Sequence, residues 1–566
     1  MKTYKIQAIL VMALLLSGCG KFLEEEPKAI RTSASYYKDE TTLISGLYGI
    51  YASFQSLYRD YTPFIGELGT DESVPQHIFT SFNSMFRYQI DSNNDEFIGR
   101  WYRYHYTMIG RCNVVIDRGN AISPQTDGVR RIVAEAKMLR ALAYFRLAQT
   151  MGPVALVLSE TQPPIDYSLP RAKLKDVYAA IVRDMTEATA PGLLPETKQS
   201  AEPARLWRYA ALGLLGKVYL TMAGHKEHCI VDLVLSQVGK EDWGYGAIEQ
   251  SSAELYALAE ATLDQVIGQV SLEPQYSHLF CQQYKNQLGE NMWEIQFASG
   301  RPTGNMWLRR MGCTCTPFLQ ARDQKTEGVS VNQLHYNFRL WKSYMPGDGR
   351  KGWNLGTVTF SWNTPNPATG LPPNPMTVNV ANAAIDQVIQ SWMGAPKFRS
   401  HADADLYSDN GEADYEYQSM NFPLLRYADV VLMKVEANLK NNGTLDATSV
   451  ELYNSIRIRA RGRDALGNPI PASSTPDFPN YTAAQINADT ILVERMREFC
   501  FESIRWFDLA RTGKLVYNYN KNIDDPIYCP EYKPAYIDEH CFLMPIPQQQ
   551  IDRSTNKEGF FQNPKY

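Results

Sequence analysis

The sequence predicts a mostly α-helical protein in which a frame of packed helices carries one large, irregular, loop-rich region. Three observations predict it. Apolar side chains recur every three to four residues in a first block, residues 33–290, and again in a second, residues 421–566. Between them, residues 291–420 lose that period and fill with Pro, Asn and Gly turns. Six of the ten tryptophans, Trp307, Trp341, Trp353, Trp362 and Trp392 with Trp293 at its start, fall in this middle stretch, so it is where binding loops are expected.

The chain begins with a short export element. Lys2 and Lys5 precede an apolar run, Ile6 to Leu16, closed by Ser17-Gly18-Cys19. A run of about 11 residues is too short to span a bilayer, which takes about 20, so residues 1–18 read as a signal peptide. Leu16-Ser17-Gly18-Cys19 resembles the lipobox of bacterial lipoproteins, which implies diacylglycerol on the Cys19 thiol and acylation of the new N-terminus. Several acyl chains hold a domain at a membrane where one chain binds only marginally. Residues 19–32, with Glu24, Glu25, Glu26 and Pro27, then form a lipidated tether. Its acidic cluster resembles the export signal that places some lipoproteins on the cell surface.

Residues 33–566 read as a single domain. Tyr36, Leu43, Leu47, Ile50 and Phe54 predict a helix over 33–58, followed by an irregular stretch over 59–95. Trp101 to Ile116 is the next helix. Ile132, Ala136, Leu139, Ala143 and Leu147 make one stripe of a helix over 130–150, which Gly152-Pro153 stops. Further helices are predicted over 171–190, 207–222 and 256–267, and in the second block over 427–439, 447–461 and 491–511. Paired helices with small residues at close crossings resemble degenerate tetratricopeptide repeats, although the period is irregular.

Composition excludes several functions. The net charge of -5 supplies no basic field for nucleic acid or anionic lipid. No motif for a metal, cofactor or catalytic nucleophile occurs. His225 and His228 lack zinc-peptidase spacing and read as a solvated helix end; Gly213 to Lys217 lies inside an apolar helix and is a packing feature rather than a phosphate loop. Gly66, Glu67, Asp71 and Glu72 read as an exposed turn in preference to a cation site. Nine cysteines in an exported chain permit disulfides, with Cys529 and Cys541 the nearest pair.

A series of motifs carries a family resemblance. Glu135-Ala136-Lys137-Met138-Leu139-Arg140-Ala141-Leu142-Ala143-Tyr144-Phe145, with the exit Gly152-Pro153-Val154, is followed by Trp293-Glu294-Ile295-Gln296-Phe297. Then come Pro423-Leu424-Leu425-Arg426-Tyr427-Ala428-Asp429 with Glu436-Ala437, Asn454-Ser455-Ile456-Arg457-Ile458-Arg459-Ala460, Glu494-Arg495-Met496-Arg497-Glu498-Phe499 and Arg505-Trp506-Phe507-Asp508-Leu509. Pro545-Ile546-Pro547 and Asn563-Pro564-Lys565-Tyr566 complete it. In this order they resemble the SusD/RagB family of nutrient-binding outer-membrane lipoproteins. One departure is Cys500-Phe501-Glu502-Ser503, where the family commonly has Glu-Gly. Arg426, Asp429, Glu436, Arg505 and Asp508 read as helix-pinning ion pairs and caps rather than ligand contacts.

The resemblance implies a non-enzymatic lid that captures a glycan and delivers it to a SusC-type TonB-dependent barrel transporter, lipid-anchored at the outer membrane. Alternatives are the same role for peptides, a lipid-anchored glycoside hydrolase, which needs two carboxyl groups in one cleft, and a helical-repeat adaptor. Aromatic rings cover the CH faces of sugars, and the chain holds 34 Tyr and 10 Trp. The family places its ligand across the two irregular regions, so the expected contacts are Phe79, Phe82 and Asn83 from the first and Trp307, Trp353 and Trp362 from the second.

Overall fold

A computed structural model describes residues 33–59, 62–67, 69–75, 80–298, 303–305, 334–355, 397–398, 419–463, 467–523 and 535–566. The signal, Cys19, the tether, Phe79, Trp307 and Trp362 lie outside the described residues.

The frame is a series of helices laid side by side: α1 (Glu40–Tyr58), α2 (Thr80–Phe86), α3 (Arg100–Ala121), α4 (Asp127–Met151), α5 (Leu174–Ala188), α6 (Arg208–His228) and α7 (Ser252–Asp264). Each packs on its neighbour: α1 on α3, α3 on α4, α4 on α5, α6 on α7. A second set, α10 (Tyr427–Asn442), α11 (Ala447–Arg461), α12 (Ala488–Phe499), α13 (Arg505–Arg511) and α14 (Leu515–Ile523), joins the first through α10, which lies on α7 and α6. Between the sets come β1 (Ser73–Pro75), β2 (Asn291–Ile295), β3 (Leu334–Tyr336), the short helices α8 (Phe338–Ser343) and α9 (Arg350–Asn354), and β4 (Phe422–Arg426). The strands form antiparallel pairs, β1 with β3 and β2 with β4.

Helix α4 shows how the sequence builds the frame. Thr126 caps it by accepting the Val129 amide at 3.1 Å, and Gly152, at φ +71°, ends it where Pro153 follows. The predicted single stripe falls short, because α1, α3 and α5 cover α4 and leave nearly every residue from Ile132 to Met151 buried. Each large apolar side chain so buried contributes about 1.5–3 kcal/mol. The charged residues among them are paired: Arg140 donates to both oxygens of Asp184 at 2.7 and 3.0 Å, and Glu135 accepts from Arg205 at 2.6 Å.

The predicted helix over 491–511 is two helices. Phe501 and Ser503 adopt φ of +62° and +58°, which breaks the chain between α12 and α13. Serine stands at 503 in a conformation that glycine takes without strain.

A network of buried charges ties the second block to the middle region. Arg426, at the end of β4, reaches Glu290, Glu498 and Glu502 at 3.0, 2.9 and 2.7 Å. Arg459 of α11 meets Glu290 and Glu498 at 2.8 and 2.5 Å. Arg350 of α9 meets Asp348, Glu494 and Glu498, and Lys397 meets Glu502 at 2.6 Å. Glu498 is the hub. Burial acts to raise its pKa, but Arg459, Arg426 and Arg350 outweigh it and hold the carboxyl well below the usual range. The five expected ion-pair residues all take that role: Asp429 pairs with Lys217 and Arg495, Glu436 with Arg511, Asp508 with Arg495 and Arg511, and Arg505 with Asp71.

One local expectation is corrected. His225 is buried and stacks on Tyr245 at 4.5 Å, so only the residues after it form a solvated helix end. Cys541 is a buried thiol, and Cys529, its expected partner, lies outside the described residues. Among the described residues no helix is long and apolar enough to cross a membrane.

Candidate functional site

The two irregular regions meet. Ser73, Val74 and Pro75 of the first pair with Tyr336, His335 and Leu334 of the second, and the Asn337 amide extends the ribbon by donating to the Glu72 carbonyl at 2.7 Å. Residues more than 250 positions apart thus form one two-stranded ribbon, from which the chain runs directly into α8.

The residues before β1 anchor this ribbon to the frame. Asp71 is held by a bidentate contact from Arg505, at 2.6 and 2.7 Å, and Arg505 also donates to the Leu492 carbonyl at 2.8 Å. Glu67 and Glu72 are fully buried behind it, which overturns the expected exposed turn. The Phe501 amide donates to Glu72 at 3.3 Å and the Ser503 amide to Glu67. The second oxygen of each carboxyl has no partner but the other carboxyl, and a proton on Glu67 donated to Glu72 satisfies both. Burial raises both pKa values, Glu72 to about 6 and Glu67 well above its ordinary range. Gly66 is required here, since a Cβ would lie 2.4 Å from the Ser503 carbonyl oxygen.

Beside the ribbon opens a cavity of about 750 Å³. Helix α14 supplies one wall. Leu515, Tyr519 and Asn522 are buried, with Tyr519 against Phe86 of α2 at 5.8 Å and Tyr88 at 5.4 Å. Helical spacing then turns Tyr517, Asn518 and Lys521, with Lys514 one turn before, toward the cavity. Gly513 makes the turn into α14 at φ +67°, where a Cβ would strike the His228 ring at 2.9 Å. Helix α8 supplies Arg339, Lys342 and Ser343, again spaced along one face, and α12 supplies the apolar lining of Leu492, Val493 and Met496. Helix α8 is fixed where Arg497 donates to the Ser343 carbonyl at 2.7 Å and Tyr344 to the Arg497 carbonyl at 3.0 Å.

Of the expected contacts, Phe82 and Asn83 lie on α2, which is tied to α14 through Phe86, and Asn83 is half-buried. Trp353 lies half-buried on α9, its indole N–H donating to the Lys397 carbonyl at 2.9 Å. None of the three lines the cavity. Lys514, Tyr517 and Lys521 were missed; their spacing of three and four residues is the signal that marks them as one helix face. Among the described residues, no group of three His, Cys, Asp or Glu is arranged to hold a metal ion.

A helical frame that draws loop regions together beside an open, aromatic-bearing cavity defines a binding scaffold. The chain belongs to the SusD/RagB family. A model described as the SusD family matches residues 377–566, and one described as starch-binding associating with outer membrane matches residues 21–220. A SusD-like protein of Bacteroides ovatus is 25% identical, covering 89% of this chain and 82% of that protein. Among solved structures, a SusD homolog from Bacteroides thetaiotaomicron superposes with a TM-score of 0.74 at 21% identity, covering 94% of this chain and 98% of that one. Surface glycan-binding protein A from the same species, solved in complex with laminarihexaose, gives 0.67 at 16% identity, covering 93% and 99%.

Proposed function

We propose that this protein is a cell-surface lipoprotein, anchored through Cys19, that binds a glycan oligomer and delivers it to a SusC-type TonB-dependent transporter without chemistry of its own. The β1–β3 ribbon carries the reading, because it joins the two loop regions beside a cavity with an exposed tyrosine. The laminarihexaose complex of a relative with the same fold supports the ligand class. In this reading residues 33–566 act as one domain, and Phe79, Phe82, Asn83, Trp307, Trp353 and Trp362 contribute contacts from the loops toward the same ligand.

The non-enzymatic part is supported by the carboxylates at hand. Glu67 and Glu72 are sealed from solvent, and in the cavity Asp71 is held by Arg505 and Asp489 faces Lys514 at 3.3 Å. Neither pair presents a free acid and base to a glycosidic bond. Calorimetry of the purified protein against polysaccharides and peptides tests the function. A saturable heat with a glycan that survives long incubation intact is expected; heat with peptides alone, or release of free sugar, overturns it.

A further inference from the structure

Resting on the glycan-binding reading, we propose that the cavity between α8, α12 and α14 takes an anionic sugar, one carrying sulfate esters or uronic-acid carboxylates. The whole chain is acidic, with a net charge of -5, yet among the described residues this cavity is lined by five basic side chains, Arg339, Lys342, Arg505, Lys514 and Lys521, against two carboxylates, Asp71 and Asp489. Arg505 is committed to Asp71, and Asp489 faces Lys514 in an exposed pair of the weak kind that a bound anion displaces.

The placement of the cations is specific to a charged ring. Tyr517 is 58% exposed, an uncommon setting for a ring of that size. Its neighbours on the helix face bring Lys514 Nζ to 5.9 Å and Lys521 Nζ to 5.6 Å from the ring centroid. Both ammoniums lie over the Tyr517 ring, so a sugar that stacks there by its CH face displaces them from the ring, and sulfate or carboxylate substituents on its rim then hold them. Arg339 on the α8 wall offers a planar fork that matches a carboxylate or sulfate.

The test is calorimetry of the intact protein with four probes: laminarin as a neutral glucan, carrageenan as a sulfated galactan, polygalacturonate, and polyglutamate. Binding of carrageenan or polygalacturonate is expected, the responsive arm identifying the anionic group. It weakens as sodium chloride rises from about 0.05 to about 0.5 M. Lys521→Glu and Tyr517→Ala, both at exposed positions, lower that affinity about tenfold, while Lys175→Glu on the exposed face of α5 leaves it unchanged. Binding of laminarin alone overturns the anionic assignment and leaves the glycan reading standing. Polyglutamate binding as tightly as the anionic glycans, or Lys521→Glu without effect on them, also overturns it. Silence toward every glycan overturns both.

Discussion

The Glu67–Glu72 pair shows how a single proton is built into this fold. Burial keeps that proton bound above the ordinary carboxyl value of 4.5, with Glu72 raised to about 6 and Glu67 held well above its ordinary range. Over that range the folded chain holds a proton that the unfolded chain has released, so this pair's contribution is full below pH 4.5 and is lost as pH rises. Glu67→Gln, which mimics the protonated acid, is expected to gain about 1–2 kcal/mol over the parent at pH 8 and to match it at pH 4. Denaturant unfolding at both values checks this, and an equal difference at the two removes the shared proton. At Ser503, the φ of +58° predicts that Ser503→Gly is tolerated within about 1 kcal/mol while Ser503→Val costs about 1–3 kcal/mol.

At the scale of elements, one ion pair docks the β1–β3 ribbon on α13. Arg505→Ala leaves the Asp71 carboxylate buried without its partner, and is expected to cost about 3–5 kcal/mol. Removing both partners costs less than the two single losses together, because no charge is then stranded; strict additivity in a double-mutant cycle sinks this account. Helices were the most legible elements. The predicted span 447–461 coincides with α11, because capping and periodicity are local, and here Asp446 accepts the Ser449 amide at 2.6 Å. The break between α12 and α13 was not legible, since Phe501 and Ser503 carry no glycine to announce a left-handed turn. Helix α14 was missed because its buried side is only Leu515, Tyr519 and Asn522, too short a stripe to stand out.

Across the whole molecule, Glu498 joins α12 to β4, α9 and α11. Glu498→Ala takes one carboxylate at once from Arg350, Arg426 and Arg459, leaves more buried positive charge than negative around them, and is expected to cost about 3–5 kcal/mol, seen as a large fall in thermal midpoint. A fall of no more than an ordinary surface substitution removes the hub role. The same network brings residues 334–355 of the middle region onto the frame, through Arg350 with Asp348, Glu494 and Glu498. By itself the sequence determined where the long frame helices form and that Arg426, Asp429, Glu436, Arg505 and Asp508 serve packing, because periodicity, caps and stop signals act between near neighbours. It also carried the motif order of the SusD/RagB family. Only the tertiary structure decided that Asp71 meets Arg505 across 434 positions, that residues 73–75 pair with 334–336, and that Arg339, Tyr517 and Lys521 face one cavity. Those partners are chosen by the burial of charges and backbone groups that must find complements wherever the chain returns, and no local pattern encodes that choice.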